Sequence, residues 1–440
     1  MQKHKLSYKG NTPTFLGKPN SDRLSIAYFT PGWPPQTFPN GIVTYVASMV
    51  EGMHQLCHQA HILTPYLEPA TDLAFHSQDV LQLSSRRSDE VMGRLFDTLF
   101  ARVLPELAFR TSFVRGLCRG ISNLTTRTEL DLLEIEESFG IAGSLRDRLS
   151  IPIVVRLHGP WFINGKVMGF SEDASFLRRV QLEGEAIANA FAITAPSRDV
   201  LEQTRRYYNL PLEQAVVIPC PVASTPKAQR WRSQDCEPDM IAFIGRFDRH
   251  KGGDLIIDAF AQVLREFPNT RLIFAGPDRG CIDDHGRVWH FEEYVHDRLP
   301  GALEAGQIEW LGHQPPSVLR ELRRRAQITV VASRYETFSY TTVEALSLGC
   351  PIVGAQAGGI PEIITDEASG LLFQAGNAEA LAAQLSRLLR NPNLAAQLGH
   401  QAGEECAKRF APEVVAQQSV DFYQTTLELW SEAQLVCQKR

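Results

Sequence analysis

The chain carries no Cys-x-x-Cys pair, no apolar run long enough to span a bilayer, no excess of basic residues and neither of the two common glycine-rich nucleotide signatures. Each gap excludes something. Eight cysteines scattered through 440 residues read as reduced structural thiols, not as a disulfide framework or a zinc site. With 44 Lys and Arg against 50 Asp and Glu, the formal net charge is −6, which argues against a nucleic-acid-coating protein. The polar first 22 residues, rich in Lys, Asn and Pro, lack the apolar core of a secretory signal, so the cytoplasm is the expected location, with peripheral contact at the inner face of the membrane as the alternative. No strand-like run leads into Gly-x-Gly-x-x-Gly and no loop ends in Gly-Lys-Ser/Thr, which disfavours a dehydrogenase and an ATPase.

What is present points to two units, because 440 residues exceed what one hydrophobic core usually supports. Residues 25–29 open a strand, a Pro- and Gly-rich loop follows to Gly41, and an apolar-periodic helix begins at Ile42. Further strand candidates lie at 61–63, 130–135, 151–157, 192–195 and 216–218. After a polar, Pro-containing stretch at 223–239, a second series appears at 240–244, 270–275, 307–311, 328–332 and 351–353. The expected class is α/β, with two doubly wound, Rossmann-like parallel-sheet domains facing across a cleft. The expected division is 1–222, 223–411 and a final helical segment 412–440. Residues 84–122 read as an Arg-rich helical insertion, better explained as a solvated helix pair than as an acceptor-binding or membrane-touching surface.

The most informative stretch runs from Ser333 to Leu346, where Glu336 and Glu344 stand eight positions apart across a strand-to-helix junction. The β-branched run 328–332 suits a buried parallel strand, and Ser339 or Thr337 suits a helix cap. Ligands of open α/β sheets bind at that end of the strands, and free N–H groups at a helix start attract phosphate. Glu336 then lies in the loop and Glu344 within reach of a ribose attached to a diphosphate at the helix tip.

Other segments fit beside it. Residues 245–253 place Gly245, Arg246 and Lys251 in a glycine-rich turn after a strand, with two cations for a diphosphate. His158 ends the run 151–157 and leads into a glycine, which points it into the cleft; Asn40-Gly41 offers backbone N–H groups at the first helix start. His54, His58 and His61 lack a flanking carboxylate and Asp283-Asp284 sits in a polar loop, so neither is read as a metal site.

Together these segments resemble the retaining group 1 (family 4) glycosyltransferases of the two-domain GT-B fold. The resemblance rests on Glu336 and Glu344, Gly349-Cys350-Pro351, Gly358-Gly359-Ile360-Pro361-Glu362 and the Gly-Arg to Lys-Gly segment, in that family's order. It implies a nucleoside-diphosphate-sugar donor, no cofactor, no bound metal, and a saccharide, lipid-linked or small-molecule acceptor. Arg246 and Lys251 would neutralise the diphosphate, backbone at Ser339, Tyr340 and Thr341 would bind it, and Glu344 would hold the ribose. Phe338 and Gly245 would belong to the donor pocket, Glu336 would contact the donor sugar, His158 its far side, Gly41 beside Asn40 the distal phosphate, and His313 would border the base. The last helix would cross back to brace the first domain. This chain departs from the family at Asn40, where a second glycine is common, and at Ser339-Tyr340, where a Gly-hydrophobic pair is common. The rival expectations are a GT-B phosphorylase, a nucleotide-sugar epimerase, or a non-catalytic nucleotide-sugar-binding subunit.

Overall fold

The computed structural model describes residues 23–38, 40–68, 80–83 and 105–438. The N-terminal segment 1–22 and residues 84–104 of the Arg-rich insertion lie outside the described residues; of that insertion, helix Pro105–Thr125 is described.

Two parallel sheets organise the chain. The first contains β1 (Ser25–Phe29), β2 (Gln59–Thr64), β3 (Val80–Gln82), β4 (Leu132–Glu136), β5 (Ile153–Arg156), β6 (Ala192–Ala195) and β7 (Val216–Val217), in the spatial order β3-β2-β1-β4-β5-β6-β7. The second contains β8 (Glu237–Ile244), β9 (Arg271–Ala275), β12 (Ile308–Gly312), β13 (Ala326–Val331), β14 (Ile352–Ala355) and β15 (Leu371–Phe373), ordered β12-β9-β8-β13-β14-β15. A short antiparallel hairpin, β10 (Cys281–Ile282) with β11 (Val288–Trp289), stands apart from both sheets.

The strand orders fix where ligands can sit. Each sheet winds outward in both directions from a central pair, β1 with β4 and β8 with β13, so each has a switch point where successive connections leave by opposite faces. Crevices at the carboxyl ends of such pairs are the ligand sites of open α/β sheets. The loops after β8 and β13 contain Arg246, Lys251 and Glu336, and those after β1 and β4 lead to Gly41 and Glu137.

Helix Pro412–Gln438 crosses back to the first domain and packs along helix Gly41–Gln55. Gly52 allows the close approach, because a Cβ there would lie 2.3 Å from the Pro412 carbonyl oxygen. Farther along, the Tyr423 hydroxyl donates to Glu134 Oε2 at 2.6 Å, and the Tyr45 hydroxyl donates to Glu134 Oε1 at 2.8 Å. Arg156 from the neighbouring strand is buried in the same cluster, donates to the Ile218 carbonyl at 2.7 Å and lies over the Tyr45 ring. A buried carboxylate is tolerable only when its lone pairs are matched, and here the crossing helix supplies one of the partners. The crossing helix is thus bonded to the first domain by packing and by a buried polar network.

Replacing Gly52 with Ala should cost about 1–3 kcal/mol, since the obstacle is backbone and cannot rotate away. Thermal denaturation should show a lowered midpoint; an unchanged one would contradict this seating of the crossing helix.

Candidate active site

The loop between β13 and helix Tyr340–Ser347 is held from both sides. On the second-domain side, Gly358 and Gly359 press against its backbone: the Gly359 N–H donates to the Glu336 carbonyl at 2.8 Å, and Gly358 adopts φ +53, with the Glu336 oxygen 2.0 Å from where a Cβ would stand. On the first-domain side, the Ser197 hydroxyl donates to the Thr337 carbonyl at 2.8 Å. Gly159, immediately after His158, faces the Thr337 side chain so closely that a Cβ would come within 2.8 Å of it. His158 and the Glu336 loop are therefore neighbours across the domain seam.

Within the loop, Lys251 Nζ donates to Glu336 Oε1 at 2.5 Å, with both side chains largely buried. Burial alone would raise the Glu336 carboxyl, but the Lys251 ammonium and His250 outweigh it and hold the group below the ordinary carboxylate range. Glu336 is an anion at neutral pH. Two residues absent from the sequence reading organise the cations. Asp248 accepts from Arg246 Nε at 2.6 Å and from the Lys251 backbone N–H at 2.7 Å, and His250 stands between Arg246 Nη2, 3.4 Å from its Nδ1, and the Tyr335 carbonyl oxygen, 2.8 Å from its Nε2. Their positions inside the 245–253 turn were the available signal.

Ser339 caps helix Tyr340–Ser347, its Oγ accepting from the Thr342 N–H at 3.3 Å with φ −94. That φ suits any residue, which explains how serine stands where a glycine is common. The first-turn N–H groups at Tyr340 and Thr341 have no intrahelical acceptor and constitute a helix start open to an anion. Glu344, one turn on, is 43% exposed and accepts from Arg323 Nη2 at 2.7 Å, while the Arg323 side chain is only 4% exposed.

Three of the residues read as ligand contacts use their side chains in packing or capping. Phe338 is buried and stacks edge-on with Tyr340 and Phe410, so its side chain belongs to the core beneath the loop, not to its open face. The Tyr340 ring lies across the seam, 3.7 Å from where a Gly41 Cβ would be, and its hydroxyl is buried beside Cys220. Asn40 caps helix Gly41–Gln55, its Oδ1 accepting from the Ile42 N–H at 2.8 Å, so the side chain completes the helix end. Gly245 sits between the Phe243 ring and Lys251, and its N–H donates to the Ala275 carbonyl. His313 is exposed at the end of β12, the outer strand of the second sheet and three strands from β13.

The histidine and aspartate clusters set aside in the sequence are structural. His58 Nδ1 accepts from the Leu24 N–H, His61 Nε2 contacts Ser25 Oγ, and Asp283 caps its own turn and the Trp289 indole. Among the described residues no group of three or more His, Cys, Asp and Glu is arranged to hold a metal.

His158 is placed by acids that sequence reasoning missed. The N–H groups of His158 and Gly159 donate to the two oxygens of Glu137 at 2.9 and 2.8 Å, and the Trp161 N–H donates to Glu183 at 2.6 Å. The imidazole packs edge-on against Tyr45, and burial, with the Arg156 charge second, holds it well below its ordinary pKa and neutral. Burial and then Glu183 push Glu137 up to about 7; burial and then Glu137 push Glu136 up to about 8.

The fold and the seam define a GT-B architecture, in which two Rossmann-like domains share one cleft. Solved structures agree: sucrose-phosphate synthase from Thermosynechococcus elongatus superposes with a TM-score of 0.65 at 20% identity, covering 92% of this chain and 100% of that one. Anabaena HepE in complex with UDP-glucose superposes at 0.62 with 16% identity, covering 91% and 100%. The family model described as glycosyl transferases group 1 matches residues 227–405, and that of glycosyltransferase family 4 matches residues 39–225. The chain belongs to the group 1 (family 4) glycosyltransferases. Among similar curated proteins, the D-inositol 3-phosphate glycosyltransferase of Segniliparus rotundus is 26% identical over 291 residues, 64% of this chain and 63% of that protein. The protein of the same name from Corynebacterium glutamicum is 24% identical over 320 residues, 69% and 75% respectively. The match thus spans just under two thirds of the Segniliparus protein and three quarters of the Corynebacterium one.

A raised carboxyl pKa makes the folded chain bind more protons than the unfolded chain, so its stabilising share is complete at low pH and is lost as pH rises through the folded value. For Glu136 that window ends near pH 8. Glu136→Gln should therefore gain in melting temperature over the parent protein progressively from about pH 5 to about pH 8. A difference independent of pH in a calorimetric series would contradict the assignment.

Proposed function

We propose that the protein transfers a sugar from a nucleoside-diphosphate sugar to an acceptor hydroxyl with retention of anomeric configuration. The observation that carries this reading is the Lys251–Glu336 pair at the seam, beside an open helix start and opposite His158. The proposed working division of the chain is 1–222, 223–411 and 412–440.

In this reading the diphosphate lies at the start of helix Tyr340–Ser347, where the backbone N–H groups and helix dipole favour negative charge. Lys251 has three ammonium hydrogens, so its bond to Glu336 leaves two for phosphate oxygens. Arg246, tied to Asp248 through Nε and set against His250 Nδ1 through Nη2 at 3.4 Å, keeps Nη1 for the same charge. These groups are in place before the reaction and stabilise the charge that grows as the anomeric carbon–oxygen bond breaks. No resident metal is needed for that task in this reading. The acceptor oxygen approaches the face the diphosphate leaves, bonds to the anomeric carbon, and passes its proton to the departing phosphate oxygen. Glu336 accepts from donor-sugar hydroxyls and His158, neutral, contacts the far side of the same sugar. Glu344 holds the ribose through the carboxylate oxygen not engaged by Arg323, and His313 borders the base.

UDP sugars are the first donors to test, because the Anabaena neighbour was solved with UDP-glucose. The curated relatives' name brings a phosphorylated cyclitol forward as one acceptor to test. A bound donor should raise the melting temperature, since it binds only the folded chain.

Glu336→Ala and Lys251→Ala should each lower transfer by about 10²–10³-fold while the circular dichroism spectrum is unchanged. Normal turnover by either variant would sink the assignment. For the ribose contact Glu344→Gln is the informative change, because Ala would also strand the buried Arg323 charge. Donor affinity should fall about tenfold by calorimetric titration, and an unchanged affinity would remove Glu344 from the donor site.

A further inference from the structure

A cavity opens at the switch point of the first sheet. Its volume is about 150 Å³, at least ten times the roughly 10–15 Å³ that one water needs by a comparable measure. Phe29 and Pro31 border it from the end of β1, Tyr66 from the end of β2, Phe113 from helix Pro105–Thr125, and Phe139 from beyond β4. Glu136, the last residue of β4, also lines it, and its Oε2 is buried without a hydrogen-bond partner. The next residue, Glu137, holds the backbone of His158 and Gly159, so the cavity adjoins the first-domain wall of the cleft.

Its chemistry is selective. A buried carboxyl oxygen left unmatched is costly, and a hydroxyl brought to Glu136 would offset that cost. No Lys or Arg lines the cavity among the described residues. The nearby charges are Glu136, Glu137 and Glu183 against Arg179, which is already bonded to Glu183 and lies over the Phe139 and Trp161 rings. A phosphate or carboxylate would find no unpaired cation there among the described residues, since Arg179 is already matched by Glu183. Raised to about 8, the Glu136 carboxyl is largely neutral at pH 7 and can both donate to and accept from a hydroxyl. Aromatic walls suit the C–H face of a sugar or cyclitol ring.

We infer that this cavity is the acceptor subsite, and that it takes an uncharged polyhydroxylated ring, with a hydroxyl on Glu136, in preference to a phosphorylated one. The inference rests on reading the cleft as a sugar-transfer site and adds the acceptor's chemical class.

The test is ligand-observed NMR on the full chain saturated with UDP, using glucose, galactose, mannose and myo-inositol, each paired with its monophosphate. At least one neutral member should bind, and each neutral member that binds should do so about tenfold more tightly than its phosphate. Glu136→Leu should weaken that binding about tenfold, Glu136→Gln should keep it within about threefold, and both variants should melt no lower than the parent protein. Retained binding in Glu136→Leu, tighter binding of the phosphates, a failure of every neutral member to bind, or a marked loss of stability in Glu136→Gln would each overturn the inference. A parallel UDP titration separates the two readings. If UDP binds and no neutral ring does, the subsite falls and the donor site stands; if a neutral ring binds and UDP does not, the reverse holds.

Discussion

The contact on which the rest of the site depends is the ion pair of Lys251 with Glu336. A partly buried carboxylate and ammonium are stable only when each matches the other, and removing either strands a charge. The pair joins the loops after β8 and β13, the two strands of the second sheet's switch point. Because Gly358 and Gly359 press on the Glu336 backbone from one side while Gly159 and Ser197 reach its neighbour Thr337 from the other, this pair is also where the domains meet. Glu362 extends the same seam: its two carboxylate oxygens accept from the N–H groups of Arg198 and Asp199 at the start of helix Arg198–Tyr208. The Gly-Gly-Ile-Pro-Glu segment therefore serves as a structural bracket between domains, with backbone as its main target.

The first domain is built on a different electrostatic principle. Its second-domain partner concentrates cations at the strand ends, whereas the ends of β4 and the following loops gather Glu136, Glu137 and Glu183 around Arg179. Glu137 and Glu183 are matched by backbone N–H groups, which turns them into rigid supports for His158 and Trp161. Glu136 lacks such a match and faces a cavity. An apolar residue would serve stability better there, so stability alone does not account for this uncompensated acid.

Much of this was legible in the chain because long, β-branched strands announce themselves. The parallel strands from β8 to β14 and the central strands of the first sheet were read to within a few residues. β3 and β15, three residues each, and the two-residue β10 and β11 were missed, whereas the equally short β7 was read within 216–218. The Glu336, Lys251 and His158 grouping was legible because strand-end placement and a family resemblance coincided. Asp248, Glu137 and Glu183 were not, since their roles arise from which backbone N–H groups the tertiary fold turns toward them. Phe338, Asn40 and Tyr340 show the converse: a motif position identifies a neighbourhood, while side-chain direction within it is decided by packing and capping.

The central claim is that Lys251 and Glu336 act as one unit, and a double-mutant cycle on kcat/KM with Lys251→Met and Glu336→Gln measures it most directly. The account predicts strong non-additivity, with the double variant about as slow as the slower single variant and a coupling of roughly 2 kcal/mol or more. Additive losses would show that the two side chains act independently and would contradict it.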